Sequence, residues 1–162
     1  MRIMSPFGIA LVILAITVSS IAGAFVFEAL GYAPCELCLK ERMPYYGAVP
    51  FAGLAVLFAA RGPSGLLRAA FVALALIFAG SAIFGAYHAG VEWGVWPGPK
   101  ECSGPLAHAS SVEDFLKQLQ SIKVARCDAP ALRILGLSLA AWNAVISAGL
   151  AALAMAGLRV KL

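Results

Sequence analysis

Apolar and polar positions along this chain segregate rather than alternate. Four stretches carry no charged residue: Phe7 to Phe27, Met43 to Ala60, Ala69 to Ala89 and Ile134 to Leu158. At about 1.5 Å of rise per residue, even the shortest makes a helix of about 27 Å. That suffices for a hydrocarbon core of about 30 Å once the polar ends add a turn. Each stretch is read as a membrane span, and the expected spans are 7–29, 41–60, 68–89 and 134–158. The first is longer than the apolar core of about 7–15 residues in a secretory signal, and the sequence soon returns to the bilayer, so it is expected to stay as a span.

What lies between the runs sets the connectivity. Arg61-Gly62-Pro63-Ser64-Gly65 is a tight polar turn, and so short a link makes the second and third spans antiparallel. Pro44 suits a first helical turn, and Pro50 predicts a kink. Ala79-Gly80-Ser81-Ala82 and Gly85-Ala86 place small residues where helices in lipid approach closely. The long connection after His88 opens with Trp93 and Trp96, read as interfacial anchors. Within it, Ser110-Ser111-Val112-Glu113-Asp114 offers a capping signature, and Val112, Phe115, Leu116, Leu119 and Ile122 recur at helical spacing. A short amphipathic helix is expected there, on the membrane surface with Lys117 and Lys123 near the headgroups. The fold class is therefore an all-α membrane protein, one four-transmembrane-helix bundle over residues 1–162, with loops 30–40 and 90–133 on the face opposite the termini.

Composition agrees and excludes alternatives. Of 162 residues, 62% are hydrophobic and 12% charged, where a soluble domain has roughly 25% charged residues. The net charge of +4 and isoelectric point near 9.0 come with no basic stripe or nucleic-acid motif, so lipid and not nucleic acid is the expected partner. Arg2, Arg61, Arg68, Arg159 and Lys161 lie on the terminal side. Lys40, Arg42, Lys100, Lys117, Lys123, Arg126 and Arg133 lie on the other, so a bare Lys/Arg count opposes cytoplasmic termini. All the acids share the latter face, however, and cysteine chemistry decides the orientation, because thiols facing a reducing cytosol would not stay paired.

All four cysteines, Cys35, Cys38, Cys102 and Cys127, fall outside or at the edge of the apolar runs. Cys35-Glu36-Leu37-Cys38 is a C-x-x-C at the head of the second span, where unpaired backbone N–H groups and the positive end of the helix dipole favour a thiolate. Arg42 stands one turn after Cys38, placed to bring a guanidinium beside the sulfur. Glu36 opposes those effects, and Glu41 is expected to pair locally with Lys40 or Arg42. The pattern reads as a redox-active sulfur facing an electron acceptor. The competing readings are two structural disulfides or a tetrahedral zinc site. Zinc motifs generally pair two C-x-x-C units, so no metal is expected. For His88, an interfacial histidine and a functional one weigh about equally.

Four spans, a C-x-x-C followed by Glu41-Arg42, Tyr87-His88 ending the third span and a cysteine pair in the second outer loop together resemble the bacterial DsbB family of quinone-coupled membrane thiol oxidases. The resemblance covers nearly the whole chain. It implies an inner-membrane protein with cytoplasmic termini and periplasmic cysteine loops, passing electrons from a DsbA-like thioredoxin-fold partner to ubiquinone or menaquinone. In that likeness Cys102 is attacked by the partner, Cys127 is its bridge partner, and Cys127 passes reducing equivalents to Cys35. Cys38 contacts the quinone, Arg42 stabilises the Cys38 thiolate and a quinone oxygen, and His88 lies near the quinone head. Two alternatives remain at this stage. A vitamin K epoxide reductase-like protein would place its C-x-x-C near the last spans, and a non-catalytic membrane subunit would use its disulfides only to brace a loop.

Overall fold

The structure, a computed structural model, describes residues 5–99, 111 and 126–160. Among these residues are four helices long and apolar enough to cross a membrane. They are α1 (Pro6–Ala29), α2 (Glu36–Arg61), α3 (Ser64–Glu92) and α4 (Leu139–Arg159), with strands β1 (Arg133–Ile134) and β2 (Leu137–Ser138) just before α4. Cys102, Lys117, Lys123 and the expected amphipathic helix lie outside the described residues.

Local chemistry fixes where each helix begins. Ser5 caps α1 by accepting the Gly8 N–H, with Pro6 at the position that needs no donor. Ser138 caps α4 through the Ala141 N–H. The cap of α2 is Cys35 itself, whose sulfur accepts the Cys38 N–H at 3.1 Å. This cap draws the polar stretch 36–40 into the helix, so α2 starts at Glu36 instead of at residue 41. It then runs unbroken through Pro44 and Pro50 to Arg61.

The fourth span is corrected at its start. Residues 134–138 are uncharged but not helical: Arg133 pairs with Ser138 and Ile134 with Leu137 across a two-residue turn. Leu135 (φ 53°) and Gly136 (φ 84°) both take left-handed backbone, the requirement of the tight turn that matches strand twist. Trp142 Nε1 donates to the Ile134 carbonyl at 2.9 Å and pins this hairpin to the first turn of α4. At the other outer corner, Trp96 does more than anchor. It stacks on Tyr87 with ring centroids 6.0 Å apart, donates to the Tyr87 carbonyl and closes over Gly90.

α3 packs against both α2 and α4, and α1 touches α2 and α4, so the four helices close into a bundle. Its centre holds Ile13, Phe71, Leu74, Phe78 and Leu150 beside the small stripe Ala48, Ala52 and Ala55 of α2. Where side chains are smallest, backbones approach: a Cβ on Gly85 would stand 2.9 Å from the Ala144 nitrogen of α4. Inside this apolar interior, Tyr45 Oη and Ser81 Oγ each lie 2.9 Å from Ser147 Oγ, so hydroxyls from α2, α3 and α4 satisfy one another. Leu57, Leu76 and Ile83 point outward, an apolar exterior suited to lipid. The antiparallel order brings the end of α1, the start of α2, the end of α3 and the start of α4 to one end of the bundle, and the C-x-x-C lies there.

Candidate functional site

The site is built on the first two turns of α2. Cys35 is only 4% exposed, enclosed with Leu37 and Cys127 in a small apolar cluster that Phe84 and Tyr87 of α3 complete. Cys35 and Cys38 are free thiols, whereas Cys127 is disulfide-bonded. The Cys38 thiol, hydrogen-bonded to the Cys35 sulfur, is the largest influence pulling Cys35 from the ordinary thiol value of 9.0 to about 5. Burial opposes that pull, and His88 and the Cys38 backbone N–H add to it. Donors converging on its sulfur thus favour the Cys35 thiolate.

Behind the sulfur stands a buried pair from two helices. His88 of α3 sits with Nε2 3.6 Å from Cys35 Sγ and Nδ1 2.9 Å from Glu41 Oε1 of α2. His88 is 1% and Glu41 8% exposed. With an acceptor at each ring nitrogen, the imidazole donates to both only when both nitrogens carry hydrogen. The expected local pairing of Glu41 with Lys40 or Arg42 is therefore corrected. Successive helical residues point about 100° apart, so the three side chains diverge. Glu41 faces α3, Lys40 reaches back to Glu36 at 3.4 Å, and Arg42 faces α1.

Arg42 donates to Glu28 Oε2 at 2.8 Å and lies over the Phe25 ring at 5.4 Å, with the Ala24 carbonyl also within reach. These contacts anchor Arg42 to the end of α1. It still shares a cavity with Cys38. That cavity, about 560 Å³, opens between α1, α2, α4 and the hairpin, and its walls include Phe27, Tyr32, Cys38, Arg42, Trp142 and Ile146. A second cavity, of about 550 Å³, reaches Cys35 and Cys38 from the loop side, with Glu92 and Arg126 on its wall. His88 lines neither, being placed against Cys35 instead.

Sequence comparison supplies the family. The model for "Disulfide bond formation protein DsbB" matches residues 7–157. The chain belongs to the DsbB family. A similar protein, "Uncharacterized protein RP370" of Rickettsia prowazekii (strain Madrid E), is 25% identical over 140 residues, spanning 85% of this chain and 78% of that protein. No solved structure matches.

Membership makes this a multi-pass membrane protein of disulfide bond formation. The DsbB-family match contains all the cysteines and the site around them. Of the expected site residues, the structure brings Cys35, Cys38, His88 and Cys127 into one neighbourhood and places Arg42 on the wall of the cavity that Cys38 also lines. Donor atoms of Cys35, Cys38 and His88 all lie within 4.8 Å of one another. The residues that sequence reasoning missed are Glu41 as the partner of His88, and Glu28 as that of Arg42. Their signal was charge at the rim of an apolar span, where an ionised group needs a partner.

Proposed function

We propose that this DsbB-family protein is a dithiol–quinone oxidoreductase of the bacterial inner membrane. It re-oxidises a DsbA-like thioredoxin-fold protein and delivers the electron pair to ubiquinone or menaquinone. The DsbA–DsbB–quinone route is the known source of oxidation in the bacterial periplasm. The observation that carries the reading here is a division of labour within one C-x-x-C. Cys35 is buried beside disulfide-bonded Cys127, while Cys38 lines a largely apolar cavity whose described wall includes Arg42.

In this proposal Cys102 and Cys127 form the outer disulfide. The partner's thiolate attacks Cys102, a mixed disulfide forms and Cys127 leaves as a thiolate. The partner's second thiolate then attacks its own sulfur in that bridge, so the partner departs oxidised and Cys102 is a thiol. Cys127 attacks Cys35 of an oxidised Cys35–Cys38 pair, and Cys38 is released as the thiolate. Cys102 closes back onto Cys127, which frees Cys35. The net result is one partner disulfide gained and one C-x-x-C dithiol formed, with electrons conserved at each exchange.

A quinone bound in the cavity lined by Cys38 and Arg42 would supply the sink for two electrons and two protons. The residues present fit such a head group. The walls are largely apolar, Cys38 is on the lining, and Arg42 beside it would offer a guanidinium to a carbonyl oxygen. Arg42 is held in that wall by Glu28 and the Phe25 ring. The Cys38 thiol and the Glu41–His88 pair beside the Cys35 thiolate would together hold the two protons that accompany the electron pair. The same site favours this reading over a loop-bracing subunit, because a purely structural bridge needs neither a thiolate nor a buried His–Glu pair behind it.

Purified protein given quinone and a reduced thioredoxin-fold substrate is expected to reduce the quinone, and Cys38→Ser to abolish that. Turnover that survives the substitution overturns the relay. Labelling of cysteines in intact cells tests the orientation, since the loops must be reached from the periplasmic side.

A further inference from the structure

The trio of donors at the head of α2 has a second use that does not depend on any quinone or protein partner. We propose that the reduced C-x-x-C and His88 form a three-ligand site for a thiophilic d10 cation, Zn²⁺ or Cd²⁺, and that its occupancy holds the protein in the dithiol state.

The distances carry this. Cys35 Sγ and His88 Nε2 are 3.6 Å apart, and the Cys38 sulfur completes a set in which all donor atoms lie within 4.8 Å. A tetrahedral centre with Zn–S of about 2.3 Å and Zn–N of about 2.0–2.1 Å sets sulfur and nitrogen roughly 3.6 Å apart, so that pair already has ligand spacing. The histidine is also aimed. Nε2 faces the sulfur while Nδ1 lies 2.9 Å from Glu41 Oε1, the carboxylate–imidazole arrangement that fixes tautomer and ring orientation in metal sites.

Charge and access agree. Two thiolates neutralise a divalent cation in a pocket where Cys35 and His88 are nearly inaccessible. Three protein ligands leave a fourth position, and the second cavity is lined by both cysteines on the loop side. Glu92 lines that cavity, and its Oε2 is buried without a hydrogen-bond partner among the described residues. A cation-bound water in the fourth position would supply one. Formation of the Cys35–Cys38 disulfide removes two of the three ligands, so binding is confined to the reduced protein. A bound cation in turn ties up both sulfurs and opposes their oxidation.

The test uses the full chain carrying Cys102→Ala and Cys127→Ala, so that only the C-x-x-C can respond, reduced and kept anaerobic. Cd²⁺ is followed by sulfur-to-metal absorbance, and Zn²⁺ by competition with a chromogenic chelator. One equivalent is expected in the reduced protein and none once the C-x-x-C is oxidised. His88→Ala and His88→Gln should each weaken binding at least about tenfold, and Glu41→Gln by roughly 10–100-fold, the usual effect of losing the group behind a ligand histidine. Binding that keeps its affinity in both His88 variants would be simple dithiol chelation and overturns the site, as does absence of binding to the reduced parent. Thermal unfolding without metal identifies any variant that has lost its fold. For such a variant the decision passes to Glu41→Gln, whose unchanged affinity would also overturn the proposal. Quinone reduction is not measured, so failure of the acceptor reading leaves this result standing.

Discussion

Removing the imidazole behind Cys35 should return its sulfur toward ordinary thiol behaviour. In the intact site the value of Cys35 falls from 9.0 to about 5, with the Cys38 thiol the first cause and His88 a further one. A partner of opposite charge within about 4–6 Å typically moves an ionisable group by 1–3 units, and His88 Nε2 is 3.6 Å from the sulfur. His88→Ala should therefore raise the midpoint by roughly 1–3 units, the loss adding to a burial effect that already pushes upward. At pH 7 a midpoint of 5 leaves about 99% thiolate, whereas one of 8 leaves about 10%. A Cys38→Ser background isolates one titrating thiol and keeps a hydroxyl donor to it. Thiolate ultraviolet absorbance against pH, in detergent, reads the midpoint directly. The linkage has a definite sign. Because the folded value is depressed, the thiolate stabilises the reduced protein fully above pH 9.0, and that contribution is lost as pH falls toward about 5. His88→Ala should shrink this window from its lower end in thermal unfolding of the reduced form. A midpoint that does not move in His88→Ala, or one already near the ordinary thiol value in the parent, refutes the argument.

Two further outcomes test the cavity and the packing. If the proposed quinone acceptor binds there, Arg42→Ala should raise its KM about tenfold or more, the scale of one lost charged hydrogen bond, while exchange with the proposed thioredoxin-fold partner keeps its rate. Gly85→Ala should cost about 1–3 kcal/mol in unfolding measurements, because its Cβ would meet the Ala144 backbone nitrogen at 2.9 Å and Asn143 Nδ2 at 3.0 Å. Gly53→Ala, with nothing within 4 Å, should be neutral or slightly stabilising.

The four helices were legible because lipid tolerates so little charge that each span announces itself by its absence. The same rule hid two boundaries. Glu36 and Lys40 look like loop residues, yet they belong to α2 because a thiol caps it and the two charges pair with each other one turn apart. Ile134 to Ser138 look like span, yet they form a hairpin whose turn lacks the usual Asn-Gly and puts Leu135 at φ 53°. The C-x-x-C could be read from spacing alone. The pair behind it could not, because Glu41 and His88 are 47 positions apart and meet only if α2 and α3 pack in one particular rotation.

That rotation is what the polar residues of α2 specify. Residues 41 and 42 are adjacent, so their side chains diverge by about 100°, and the divergence is used. Glu41 turns to His88 on α3, while Arg42 turns to Glu28 on α1. One turn further, Tyr45 reaches Ser147 on α4. Each of these polar groups is costly in a membrane interior unless met, so each rejects rotations of α2 that apolar packing alone would permit. The large apolar residues lining the bundle discriminate far less, because lipid solvates them as well as protein does. Once α2 is locked by these three contacts, the cap residue Cys35 falls beside His88 and Cys127, while Cys38 falls on the cavity wall with Arg42. The chemistry of the two sulfurs is thus divided by the phase of one helix, and that phase is set by the charged and hydroxyl residues on the turns that follow.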